Sequence, residues 1–174
     1  MKQFKPSHTT KLPFQLVICG VDDVPDMLVQ FVPTHIISIT DPDDEPLDFP
    51  AQINVLRLAF FDLHTMTGMV AKTLTARDRG DYPCVDHAQA ILDFGRCLPG
   101  GARVLIHCHA GVSRSTAAAF LLVAARMPGQ EDAAFNLIKR IRPAAQPNRL
   151  LVRHGDQLLG AEKRMIRCVD RGRP

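Results

Sequence analysis

A single α/β domain, with a mostly parallel central sheet of about four to five strands and helices on both faces, is what this sequence predicts. Three observations carry that expectation. Short apolar runs alternate with segments whose apolar residues recur at helical spacing. The 174 residues, 46% of them hydrophobic, suffice for one well-buried core but not for two ordinary domains. In the C-terminal half, a turn of small residues joins a buried strand to an apolar helix.

Residues 14–19, Phe-Gln-Leu-Val-Ile-Cys, read as the first strand. Residues 22–31 read as a short helix, with acidic residues at its opening and Pro25 in its first turn, where a missing N–H is tolerated. Residues 35–39, His-Ile-Ile-Ser-Ile, form a second buried strand. Asp41-Pro-Asp-Asp-Glu-Pro46 is a turn-rich acidic loop, read as solvated surface. The alternation across 53–60 makes a third strand, and the long segment 63–81 follows it. Val85, Ala88, Ile91, Leu92 and Gly95 recur at helical spacing within 82–98. Residues 104–106 are a short buried strand and 116–125 a helix of Ala, Phe, Leu and Val, which leaves 108–114 to turn between them. Further helices are expected at 130–141 and 148–163, with Pro143 and Pro147 marking the break. The basic stretch 163–173 reads as a helix end and a frayed, solvated terminus. One domain, 1–174, therefore has its core over 14–159, a short N-terminal arm and a basic C-terminal tail.

The chemistry lies in the turn of Val104-Leu-Ile-His-Cys-His-Ala-Gly-Val-Ser-Arg-Ser-Thr116. A strand-to-helix turn ends at a helix N-terminus, which offers unpaired backbone N–H groups and partial positive charge. Small residues such as Ala110, Gly111 and Ser113 let those amides wrap around a phosphate. The loop is thus a phosphate-binding loop, and His109, Ala110, Gly111, Val112, Ser113 and Arg114 are its candidate substrate-binding residues. The same field favours the thiolate form of Cys108, so the nucleophile is charged before substrate arrives. Arg114 adds a planar fork that pairs two phosphate oxygens at once, a geometry lysine lacks.

His107-Cys108-x5-Arg114-Ser115, set between a strand and a helix, resembles the signature of the cysteine-dependent protein tyrosine phosphatase superfamily. The chain is most similar to the dual-specificity branch of that superfamily. This resemblance implies a phosphomonoester hydrolase that works through a phosphocysteine intermediate, with no metal and no other cofactor. The substrate it implies is a phosphorylated protein, phosphotyrosine first, with phosphoserine or phosphothreonine admissible in a shallow pocket. Phosphoinositide enzymes of the superfamily resemble loops with lysines where this chain has His109 and Val112, so a lipid or other small phosphate ester ranks second. In the family His107 is similar to a buried imidazole that holds the cysteine loop, a packed core histidine being the alternative. Ser115 either donates its hydroxyl to the thiolate or caps the helix. Gln146 and Asn148 resemble a segment beside the pocket where an amide orients water, although turn chemistry explains them equally.

Cleavage of a phosphate ester expels an oxyanion that needs a proton. Ligands of parallel sheets sit beyond the C-terminal ends of the strands, and Asp62 lies two residues past the third strand. Asp62 is therefore the candidate general acid, and Val55-Leu-Arg-Leu-Ala-Phe-Phe-Asp62 looks like the family segment that ends in its acid-loop aspartate. A solvated carboxylate or a helix cap is the other reading of Asp62. The long 63–81 segment departs from the family pattern and keeps Asp78, Asp81 and Asp86 as alternatives, besides posing the question of a lid.

Composition removes other classes. Five cysteines, Cys19, Cys84, Cys97, Cys108 and Cys168, are odd in number and widely spaced, which fits neither a disulfide framework nor a zinc ribbon. Inert buried thiols are expected of the other four, with a resolving partner for Cys108 as the alternative. Adjacent residues on a tight turn, such as His107-Cys108-His109, rarely aim their side chains at one ion, and no zinc-type spacing surrounds them, so no metal site is expected. A net charge of +3 gives no warrant for a nucleic-acid partner. The longest apolar run, 117–125, falls far short of the ~20 residues that span a bilayer. No secretory pattern opens the chain and reduced thiols suit the cytosol, so a cytoplasmic location is expected. A silent phosphoprotein-binding relative and a redox-sensing thiol protein are the rival functions.

Overall fold

Four strands, β1 (Gln15–Gly20), β2 (His35–Thr40), β3 (Asn54–Ala59) and β4 (Arg103–Cys108), form the sheet of the computed structural model, which describes residues 12–64 and 78–172. Their order is β1-β4-β2-β3 and every pairing is parallel. β4 runs through the middle, and its last five residues are all buried. That near-continuous burial is what a parallel strand covered on both faces requires. The register sets Gly20 opposite Cys108 and Ser38 opposite His107, so the ends of β1 and β2 flank the end of β4.

The described helices are α1 (Val24–Gln30), α2 (Val85–Arg96), α3 (Arg114–Arg126), α4 (Glu131–Ile141), α5 (Arg149–Leu158) and α6 (Arg164–Arg171). Single 3-10 turns occupy Val21–Asp23 and Asp78–Asp81. The sheet faces are covered unequally. α2 to α6 supply the large core on one face, whereas α1 and the segment around Leu47, Phe49 and Ile53 cover Cys19, Ile36 and Leu105 on the other. α3 is the axis of the large core, buried continuously from Arg114 to Ala124. Small residues let its neighbours approach closely: a Cβ on Gly155 of α5 would lie 2.5 Å from Leu121 Cγ.

Two expectations change. The turn is shorter than the pattern indicated, because Cys108 closes β4 and Arg114 opens α3, leaving 109–113 as the loop proper. The larger change is at the C-terminus, where one helix and a frayed tail were expected. Instead the chain breaks at Gly160, with φ of +62°, and resumes as α6. Asp156, buried at the end of α5, explains the restart: its carboxylate accepts Lys163 N–H at 2.7 Å and Met165 N–H at 2.9 Å. Those are orphan donors at a helix start, and a carboxylate there is favoured by the helix dipole. Met165, Ile166, Cys168 and Val169 are buried on the inner side of α6. Burying a side chain of this size contributes about 1.5–3 kcal/mol before ordering costs, which holds a helix too short to stand alone. The arginines that made the segment look solvated lie on its outer side, where Arg164 pairs with Glu131 and Arg171 with Asp132.

Candidate active site

The loop 109–113 is held by its carbonyls. His109 O accepts Val21 N–H at 3.0 Å, and Val112 O accepts Gln146 N–H at 2.9 Å and the Thr116 hydroxyl at 2.5 Å. Ser113 O accepts Ala117 N–H and Asn148 N–H. Arg142 reaches in from the end of α4, with Nη2 donating to Ala110 O at 3.2 Å and Nε to Gly111 O at 3.1 Å. All five carbonyls thus bond away from the loop centre. Among the described residues, none of the five backbone N–H groups has a protein acceptor, which leaves them for an anion. Gly111 permits the tight path, having φ of +68° and lying against the β1 backbone.

Cys108 is buried at the floor, with Sγ 3.2 Å from Ser115 Oγ. The cap position of α3 belongs to Ser113, so the Ser115 hydroxyl faces the sulfur instead of capping. Arg114 is buried to 4% exposure. One guanidinium nitrogen pairs with Asp41 Oδ1 and donates to Phe60 O at 2.7 Å, while its buried Nε has no protein partner among the described residues. The guanidinium is therefore held at one terminal nitrogen and keeps an unused donor at Nε. Beneath the loop, His107 is fully buried with Nε2 2.8 Å from Ser38 Oγ on β2. Burial pushes its pKa down to about 4, so it is neutral at physiological pH.

Asp62 reaches the loop as its position past β3 implied. Its Oδ1 accepts the Ser113 hydroxyl at 2.6 Å and Asn148 Nδ2–H at 2.7 Å. His64 Nε2 stands 3.2 Å from Ser113 Oγ and 3.6 Å from Asp62 Oδ1. Both neighbours meet the same imidazole nitrogen, so these residues form no serine-histidine-aspartate relay. Asp81 and Asp86 do not line the pocket; Asp81 accepts Phe61 N–H with its backbone carbonyl, and Asp86 is exposed in the first turn of α2. The Asp78 side chain and residues 65–77, on which the lid question falls, lie outside the described residues.

Asp41, Asp62, His64, Cys108, His109, Ala110, Val112, Ser113, Arg114 and Gln146 line a cavity of about 480 Å³. Asp41, read from sequence as solvated surface, is instead the ionic partner of Arg114. The rule that found Asp62 past β3 also places Asp41, the first residue past β2, at the site. His64 and Arg142 carried no such signal. Cys19, paired in register with His107, faces the sheet side opposite Cys108, and burial raises its pKa to about 12. Among the described residues no cluster of His, Cys, Asp and Glu is placed to hold a metal ion. No described helix is long and apolar enough to cross a membrane.

No family model matches the chain. It is 39% identical over 69 residues to a Cupriavidus necator protein provisionally named a tyrosine-protein phosphatase, covering 40% of this chain and 25% of that one. It is 28% identical over 82 residues to dual specificity protein phosphatase 12 of Mus musculus, covering 47% and 24%. The chain thus matches about a quarter of the length of these curated relatives. Among solved structures, DUSP15 is similar across 95% of this chain and 96% of its own, with 25% identity and a TM-score of 0.60. In signature loop, fold and relatives, the chain is similar to the dual-specificity phosphatases of the cysteine-dependent protein tyrosine phosphatase superfamily.

Proposed function

We propose that the chain is a cysteine-dependent phosphomonoester hydrolase of the protein tyrosine or dual-specificity class. The observation that carries this reading is the arrangement of loop 109–113, whose carbonyls are all tied outward above a buried Cys108 and beside the unused Nε donor of Arg114. Such a cradle stabilises the equatorial oxygens of a phosphoryl group in transfer. Cys108 attacks phosphorus, an S–P bond forms as the P–O bond breaks, and Asp62 protonates the leaving oxygen. Water then attacks the phosphocysteine, with Asp62 taking its proton and the Ser115 hydroxyl, 3.2 Å from Sγ, stabilising the departing thiolate. His107 is the neutral, buried support beneath the loop and not a base.

The substrate class is a phosphomonoester on protein, phosphotyrosine first. Among the described residues Arg114 is the one arginine on the pocket wall and no lysine joins it, while Asp41 and Asp62 add negative charge. A single phosphate suits that lining; a second would meet carboxylates and the His64 and His109 imidazoles.

The test is hydrolysis of para-nitrophenyl phosphate in the presence of a chelator, with Cys108→Ser and Asp62→Ala beside the native chain. Native turnover, an inactive Cys108→Ser and a strongly impaired Asp62→Ala support the reading. A folded native protein that hydrolyses neither this ester nor phosphopeptides overturns it.

A further inference from the structure

We propose that Asn148 is a positioning residue for the acid, one that holds the Asp62 loop against the phosphate loop and directs the transferable proton to Oδ2. The proposal rests on the reading of Asp62 as general acid. Asn148 is completely buried, and its hydrogen-bonding groups serve three different elements. Its Nδ2 donates to Asp62 Oδ1 at 2.7 Å and to Leu63 O at 3.0 Å, gripping the acid loop by both side chain and backbone. Its backbone N–H donates to Ser113 O at 3.1 Å, gripping the phosphate loop. Its Oδ1 accepts Leu151 N–H at 2.9 Å, capping α5. One side chain therefore fixes where the acid stands relative to the cradle.

The bonds also orient the carboxyl group. Oδ1 accepts from both Ser113 and Asn148, while Oδ2 has no protein partner among the described residues. An oxygen that accepts two donors is the carbonyl oxygen of the acid, so the proton sits on the other. Asp62 Oδ2–H then gives its proton to the ester oxygen as the P–O bond breaks and the Cys108 S–P bond forms, and the Oδ2 carboxylate later takes a proton from water.

Asn148→Ser tests this without removing the helix cap, because serine caps a helix as well as asparagine does but is too short to reach Asp62. The probes are phenyl phosphate, whose phenol is as weak an acid as tyrosine, and 2,4-dinitrophenyl phosphate, whose leaving group needs no proton. In Asn148→Ser, kcat/KM on phenyl phosphate, which covers only the steps up to departure of the phenol, is expected to fall by about 10–100-fold while kcat/KM on the dinitrophenyl ester changes by less than about threefold. Asp62→Asn gives the same split, and the double variant is no worse than Asp62→Asn alone. Equal losses on both esters, or no loss on either, with Asp62→Asn still showing the split, overturn the role of Asn148 alone. Equal behaviour of Asp62→Asn on both esters overturns it together with the acid assignment, and an inactive native chain overturns the hydrolase reading beneath both. A single cooperative urea transition for Asn148→Ser, its midpoint lowered for the lost amide bonds, is the expected control, and Asn148→Asp, which keeps the cap but replaces the donor with a second carboxylate oxygen, should show the same split.

Discussion

Replacing Gly111 with alanine tests whether the phosphate loop is built as described, because two separable penalties meet there. The first is conformational: Gly111 has φ of +68°, a left-handed backbone that costs an L-residue about 1–2 kcal/mol. The second is steric: an added Cβ would lie 2.5 Å from Cys19 O and 2.5 Å from Gly20 N, and against the Cys19 carbonyl carbon. These are backbone atoms of β1, so no side chain can swing aside and the loop itself must move. Overpacking of this kind costs about 1–3 kcal/mol, giving a total of about 2–5 kcal/mol, a large fraction of a typical domain's stability. Gly129 supplies the control, since its φ of +79° carries the first penalty while nothing lies within 4 Å to impose the second. Urea unfolding followed by circular dichroism should show Gly129→Ala losing about 1–2 kcal/mol and Gly111→Ala clearly more. Orthovanadate, as a phosphate mimic, reports the amides directly: a loop displaced by about 1 Å loses on the order of 100-fold. Equal stability losses in the two variants, with vanadate affinity unchanged in Gly111→Ala, would refute the close seating of the loop on β1.

Other parts of the fold make distinct demands. Val32 follows the C-terminus of α1 with φ of +49°, an unfavourable conformation for a β-branched residue, and its side chain is 55% exposed. Val32→Asn should raise stability by about 1 kcal/mol and the melting temperature by about 2–4 °C, and an unchanged or lower melting temperature counts against that strain. His107 sets a pH dependence: its pKa falls from 6.5 to about 4 on folding through burial, so between those values the unfolded chain binds the extra proton. Its contribution is constant above about pH 6.5, is lost progressively as pH falls towards about 4, and amounts to about 3 kcal/mol in all. His87 and His154 shift in the same direction, so the comparison is with His107→Gln, whose stability should fall less steeply over that window; identical slopes would show His107 to be accessible to protons in the folded state.

What could be read from the sequence divides along local and distant causes. β4, the loop and α3 were legible because their pattern is local: an apolar run, a stretch of small residues and a second apolar run. Asp62 was legible because strand ends in parallel sheets mark ligand sites, a rule that needs the strand and not its partners. Asp41 was not, since it opens a run of acidic turn residues and its meaning depends on Arg114, 73 positions away. Asn148 sits in a proline-flanked turn that explains an asparagine without further cause, and only its contact with Asp62, 86 positions distant, distinguishes it. α6 was hidden by its own arginines, whose density matched a solvated tail, while the buried Asp156 carboxylate that starts the helix belongs to the preceding one.

The most direct test of the central claim is to trap the covalent intermediate. Native protein turning over an aryl phosphate is denatured in alkali within the steady state, conditions under which an S–P bond survives, then digested at alkaline pH and mapped by mass spectrometry. The expected result is a phosphoryl group on Cys108 in the native chain and none in Cys108→Ser, which also fails to turn over. Sustained hydrolysis with no modification at Cys108, or turnover retained by Cys108→Ser, would contradict the account.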